Sequence, residues 1–136
     1  MTLNELRDKA FAYAEKQGFH ENPINFGERL MLVVSELSEA LEADREGKWC
    51  ENPCIDEGEL LLKQCPEAFA TEEMLLTGLR TPYELFCRGS VEEELTDAII
   101  RLCDLAGIYK IDLDWHVMAK MAYNETRPYK HGKNYG

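Results

Sequence analysis

Four stretches of this chain repeat apolar residues at helical spacing, each opening on a residue able to cap a helix, and no stretch alternates like a strand. Thr2 with Glu5 reads as a capping box for a helix over residues 3–17, closed by Gly18, with Leu6, Ala10, Tyr13 and Ala14 on one face. Asn25 with Glu28 opens a second helix that reaches residue 46 and stops at Gly47. Ser90 with Glu93 is a capping box for a third, striped by Val91, Leu95, Ala98, Leu102, Leu105, Ala106 and Tyr109. Asp112 caps a fourth over residues 113–125, and Pro128 prevents much extension. The expected fold is all-α, a helical bundle of about four main helices.

Residues 48–89 break this pattern with Pro53, Pro66, Pro82, Gly58 and Gly78. Short helices are expected at 59–64, 72–77 and 82–86, because a structureless connection of this length is unusual in a compact domain. We read the stretch as an insert between helices 2 and 3, within one domain spanning residues 1–136.

The chemistry lies in two carboxylate pairs, Glu36-Leu-Ser-Glu39 and Glu94-Leu-Thr-Asp97. Residues three apart share a helix face. On a wheel of about 100° per residue, Leu30, Val34, Leu37 and Leu41 form the central stripe of helix 2, widened by Val33 and Ala40. Glu36 falls between Ala40 and Ala43, inside the apolar arc, and Glu39 at its border. If helices 2 and 3 pack side by side, four carboxylates converge and require a cation. Oxygen-only ligands favour Mg²⁺, with Mn²⁺ as the alternative. The plainer reading is a set of solvated acids, with Arg101 as a surface partner for Asp97 four residues before it.

With 15 basic and 26 acidic residues the net charge is −11, which argues against binding long nucleic acid but not a nucleotide carried with its metal. Against that background, Lys120, Arg127, Lys130 and Lys133 gather near the end. Lys120, Asn124 and Arg127 share a helix face and Tyr129 follows, as a phosphate and sugar clamp would require; a solvated helix end is the alternative. Phe19, His20, Phe26 and Trp49 are candidates for stacking on a base.

Rival sites lack their residues. A di-iron bundle wants Glu-x-x-His, but Gln17, Leu113 and Pro128 stand three before His20, His116 and His131. The P-loop, dinucleotide and serine-hydrolase motifs are missing. The five cysteines, Cys50, Cys54, Cys65, Cys87 and Cys103, form no C-x-x-C pair and read as reduced thiols. No apolar run approaches the ~18 residues of a membrane span, and the start has no signal-peptide pattern, so a cytoplasmic protein without membrane contact is expected. Ile99, Ile100 and Cys103 widen the apolar face of helix 3 on one side and Ile108 on the other, so a homodimer is expected.

These elements resemble the MazG-like nucleoside triphosphate pyrophosphohydrolases of the all-α NTP pyrophosphatase superfamily. The resemblance rests on Glu36-Leu-Ser-Glu39-Ala-Leu-Glu, Glu93-Glu-Leu-Thr-Asp97, Gly107-Ile-Tyr-Lys-Ile-Asp-Leu113 and Lys120-Met-Ala-Tyr-Asn-Glu-Thr-Arg127, in that order. It implies Mg²⁺-dependent hydrolysis of an NTP or dNTP to the monophosphate and pyrophosphate, in a dimer or dimer of dimers. By position it makes Glu36, Glu39, Glu94 and Asp97 the catalytic metal ligands, and Lys120, Asn124, Arg127 and Tyr129 the substrate contacts. Many relatives carry a further glutamate where this chain has Ser35, so the general base stays open among the ligand carboxylates and Glu93. A nucleotide-sensing or partner-binding module that keeps the metal site without turnover is the alternative.

Overall fold

The computed structural model describes residues 1–50, 83–84 and 87–132. They form four α-helices: α1 (Leu3–Lys16), α2 (Phe26–Arg45), α3 (Val91–Ile108) and α4 (Leu113–Glu125). A 3₁₀ turn follows at Tyr129–Gly132. No strand occurs among the described residues, so the protein is all-α. Of the expected short helices, 59–64 and 72–77 lie outside the described residues, and of the third only helical Tyr83 and Glu84 fall within them.

Each helix starts where a side chain supplies an acceptor for its orphan N–H groups. Thr2 Oγ1 accepts from Glu5 N at 3.0 Å, and the Glu5 carboxylate accepts from Thr2 N at 3.1 Å. Asn25 Oδ1 accepts from Glu28 N at 2.8 Å. Ser90 Oγ accepts from Glu93 N at 3.1 Å, but the Glu93 carboxylate reaches back one residue further than a capping box, to Gly89 N at 3.0 Å. Asp112 Oδ1 accepts from Trp115 N at 3.1 Å. After α1 and α2 the chain turns through Gly18 (φ +83°) and Gly47 (φ +71°), in the left-handed region where a Cβ is strained.

The chain divides into two compact units, Met1–Arg29 with Ile100–Gly136, and Leu30–Ile99. In the first, α1 and α4 meet through reciprocal capping. Asp114 accepts from Leu3 N at 2.9 Å and Asn4 N at 3.4 Å, serving the start of α1. Asn4 Oδ1 accepts from Leu113 N at 2.8 Å, serving the start of α4, while its Nδ2 donates to Asp112 at 2.9 Å. Arg7 closes the junction on Ile111 O at 2.7 Å. Ala10, Ala14, Cys103, Leu105 and Ala106 form this unit's buried core. A Cβ at Gly107 would come within 2.8 Å of Phe11 Cβ, so only glycine lets α3 lie this close to α1.

The second unit corrects the expected core. Leu30, Val34, Leu37 and Leu41, the central stripe of α2, are exposed at 37%, 45%, 48% and 50%. The buried line is Val33, Glu36, Ala40 and Ala43. On α3, Val91, Ala98, Leu105 and Ala106 are buried as expected, whereas Leu95, Leu102 and Tyr109 are exposed. Small side chains permit close approach, so the alanine line, not the leucine line, is covered within the chain. Burying a leucine-sized side chain contributes ~1.5–3 kcal/mol, and each half-exposed one forgoes roughly half of that.

Candidate metal centre

Three consecutive acids open α3 and are sent in three directions, as helical steps of about 100° dictate. The Glu92 carboxylate accepts from Cys50 N at 2.8 Å, which holds it below the usual carboxylate range. Beside it, Cys50 Sγ donates to Ser90 Oγ at 3.2 Å. Glu93 accepts from Gly89 N at 3.0 Å. Glu94 turns toward α2.

There it meets Glu36 and Glu39. Carboxylate oxygens of Glu36, Glu39 and Glu94 all lie within 4.8 Å of one another. Glu36 is 7% exposed, Glu94 half-buried and Glu39 exposed. Burial, followed by the charge of Glu39, a hydrogen bond with Glu39 and the charges of Glu36 and Glu93, pushes the Glu94 carboxyl up to about 7. Such a site gathers like charge at one point, which favours protonation or a bound cation. Its donor set is oxygen-only, which fits a hard divalent cation and not zinc.

Three of the four expected ligands are thus brought together. Asp97 is half-buried and lies outside that triad. Its charge is one of the influences, after burial and Glu93, that push the Tyr83 phenol ionisation well up. Tyr83 was not singled out in the sequence, because it sits in the stretch where helical periodicity fails.

The expected substrate contacts belong to the first unit. Lys120 Nζ lies 4.8 Å and Arg127 Cζ 5.8 Å from the centroid of the same Tyr123 ring. After α4 ends, Arg127 N donates to Asn124 O at 3.1 Å, holding the turn that carries Arg127. Asn124 Oδ1 is buried and finds no hydrogen-bond donor among the described residues. Tyr129 is exposed, with Lys130 Nζ 5.7 Å from its ring.

Of the stacking candidates, three are engaged elsewhere. Phe26 packs edge-on against Tyr109 at 5.3 Å. His20 Nε2 lies 2.8 Å from Asp104 Oδ1, with Phe11 against its ring. Trp49 Nε1 donates to Asp44 at 3.1 Å. Phe19 is 65% exposed.

Cys50 and Cys103 are free thiols, and burial pushes the Cys103 thiol up. Cys87 is disulfide-bonded, which corrects the expectation of reduced thiols throughout. Among the described residues no helix is long and apolar enough to cross a membrane. Comparison with protein-family models, curated proteins and solved structures finds no match.

Proposed function

We propose that this chain is a Mg²⁺-dependent nucleoside triphosphate pyrophosphohydrolase of the MazG-like kind, acting in the cytoplasm as a homodimer or dimer of dimers. The observation that carries the reading is the convergence of Glu36, Glu39 and Glu94, whose carboxylate oxygens lie within 4.8 Å of one another. In this reading those three hold the ion, with Asp97 one turn beyond Glu94 completing the set. When bound, the divalent ion supplies Lewis-acid activation of water and neutralises charge on the phosphate oxygens. Mn²⁺ would serve in its place.

The chain's own residues do the rest. Glu93 already accepts a hydrogen bond from Gly89 N and is the poorer base. That leaves a triad carboxylate to receive the proton of the attacking water. Lys120 and Arg127 bind phosphate, and Asn124 and Tyr129 the sugar or phosphate by hydrogen bonds. The exposed line Leu30, Val34, Leu37 and Leu41 is the face for a second copy, being apolar at i, i+4, i+7 and i+11.

The test is pyrophosphate release across common and modified NTPs and dNTPs, with Mg²⁺ and with the metal chelated. Metal-dependent release of pyrophosphate and monophosphate supports the reading. Metal-dependent nucleotide binding without release would make the chain a nucleotide-sensing module. Neither binding nor release removes the reading altogether.

A further inference from the structure

We propose that α4 pairs antiparallel with the α4 of a second copy of this chain, about a two-fold axis at Met118, through Trp115, Met118 and Ala122. This is a second contact, apart from the leucine line of α2, such as a dimer of dimers requires. It does not rest on the nucleotide reading.

α4 has 13 residues, a length at which an isolated helix is marginal in water, so packing must hold it. Within the chain it buries no residue. Asp112 and Asn4 cap its start, but caps satisfy N–H groups and cover no apolar surface. Trp115 is 62%, Met118 71% and Met121 63% exposed, and Ala122 beside them is exposed too. They are neighbours on the helix, so they form one patch rather than scattered single residues. Trp115, Met118 and Ala122 stand at i, i+3 and i+7, the spacing of a helix-pairing seam. Lys120 and Asn124 fall on the other side at about 100° per residue, so the seam can be covered with that side left open.

The occupant follows from the seam's fit to itself. Antiparallel pairing about Met118 sets Trp115 beside Met121 and Ala122 of the second copy, a large side chain against an adaptable and a small one, and does so twice. It opposes the two helix dipoles. It brings Glu125, at the end of one helix, toward the start of the other, where Lys110 stands. Both are exposed, and neither is ion-paired among the described residues. Parallel pairing would set Trp115 on Trp115 and Glu125 on Glu125. Lys110 is an independent sign. It follows α3 at φ +55°, where Lys110 N donates to Gly107 O at 3.3 Å and Ile111 N to Ala106 O at 2.9 Å. That left-handed position suits glycine, and a lysine there is strained. An acid of a second copy gives the strained side chain a use.

The experiment is sedimentation equilibrium of the full chain across the micromolar range, with circular dichroism to check that each variant stays folded. Met118→Lys sets two like charges together at the axis and should weaken the α4 contact by about a hundredfold or more. Its helical signal should hold, because Met118 is exposed in the single chain. Lys110→Glu and Glu125→Lys should each weaken the contact by about tenfold, since the two-fold axis doubles every loss. The two together should restore it, because the pair is only reversed. Leu37→Lys, on α2, should leave an association that Met118→Lys then abolishes. A wild-type chain that is monomeric throughout overturns the proposal. So does an association that Met118→Lys leaves unchanged, or one that Leu37→Lys abolishes alone. Failure of the reversed pair to restore association overturns the antiparallel arrangement. A chain that pairs through α4 but releases no pyrophosphate removes the nucleotide reading and leaves this one standing.

Discussion

Two groups of acids meet opposite surroundings in this protein. At the start of α4, Asp112 and Asp114 accept hydrogen bonds from Asn4, Leu3 and Trp115. The Asn4 bond above all holds Asp112 below the usual carboxylate range. At the α2–α3 cluster, Glu94 is half-buried beside other acids, and its carboxyl rises to about 7. The residue chemistry is the same; the supply of donors differs. Where the chain provides N–H groups, acids are structural caps. Where acids crowd one another, burial and like charge raise a carboxyl, as at Glu94, and this crowding favours a cation more than the number of acids does.

The largest effect that separates the two groups is on turnover. Glu94→Gln should reduce pyrophosphate release by about a thousandfold, as expected when several kcal/mol of metal-derived stabilisation is lost. The same substitution should hold or raise stability without metal, because repulsion is relieved. Normal turnover by this variant removes the centre.

Metal should distinguish them next. Mn²⁺ at a hundred times its dissociation constant should stabilise the wild type by about 2.7 kcal/mol, seen as a shift in the thermal transition. Asn4→Ala should keep that increment and Glu94→Gln should lose it.

A smaller effect tests the structural group. Asn4→Ala removes the acceptor for Leu113 N and the donor to Asp112, and should cost about 1–2 kcal/mol of stability, as other lost helix caps do. Chemical denaturation measures it. An unchanged midpoint would show the reciprocal capping to be energetically idle.

The last test is the sign of the pH response without metal. The folded Glu94 carboxyl titrates at about 7 against an ordinary 4.5, so the folded chain binds this proton more tightly than the unfolded one. Its contribution is therefore present below pH 4.5 and lost as the pH rises toward 7. Asp112 does the reverse: its ordinary value is 3.8 and the folded value is lower, so its contribution is present above pH 3.8 and lost on further acidification. Glu94→Gln should flatten the first slope and leave the second. Denaturation midpoints across the pH range check both.

The caps were legible in the sequence because they are local: Thr2 with Glu5, Asn25 with Glu28 and Asp112 with Trp115 act within three residues. Glu36 was legible too, since a glutamate between Ala40 and Ala43 interrupts an apolar arc, and it is buried. Which apolar face of α2 is covered was not. Periodicity reports where apolar residues stand on a helix, whereas burial depends on what packs against them, and the alanine line won over Leu30, Val34, Leu37 and Leu41. The Asn4 junction leaves no trace in a linear reading, because its partners are more than a hundred residues away.

That junction also bears on the order in which the chain acquires its structure. Its hydrogen bonds join residues 104 to 111 apart in sequence. The capping box of Thr2 and Glu5 forms as soon as the first turn exists, but Leu3 N and Asn4 N must wait for Asp114 to arrive. Closing so long a loop is entropically costly before other contacts have formed, so these bonds are expected late in folding. Interactions absent from the transition state slow unfolding more than they speed folding. The polar junction thus acts as a latch on a structure already assembled, governing how long the folded state persists rather than how quickly it is reached.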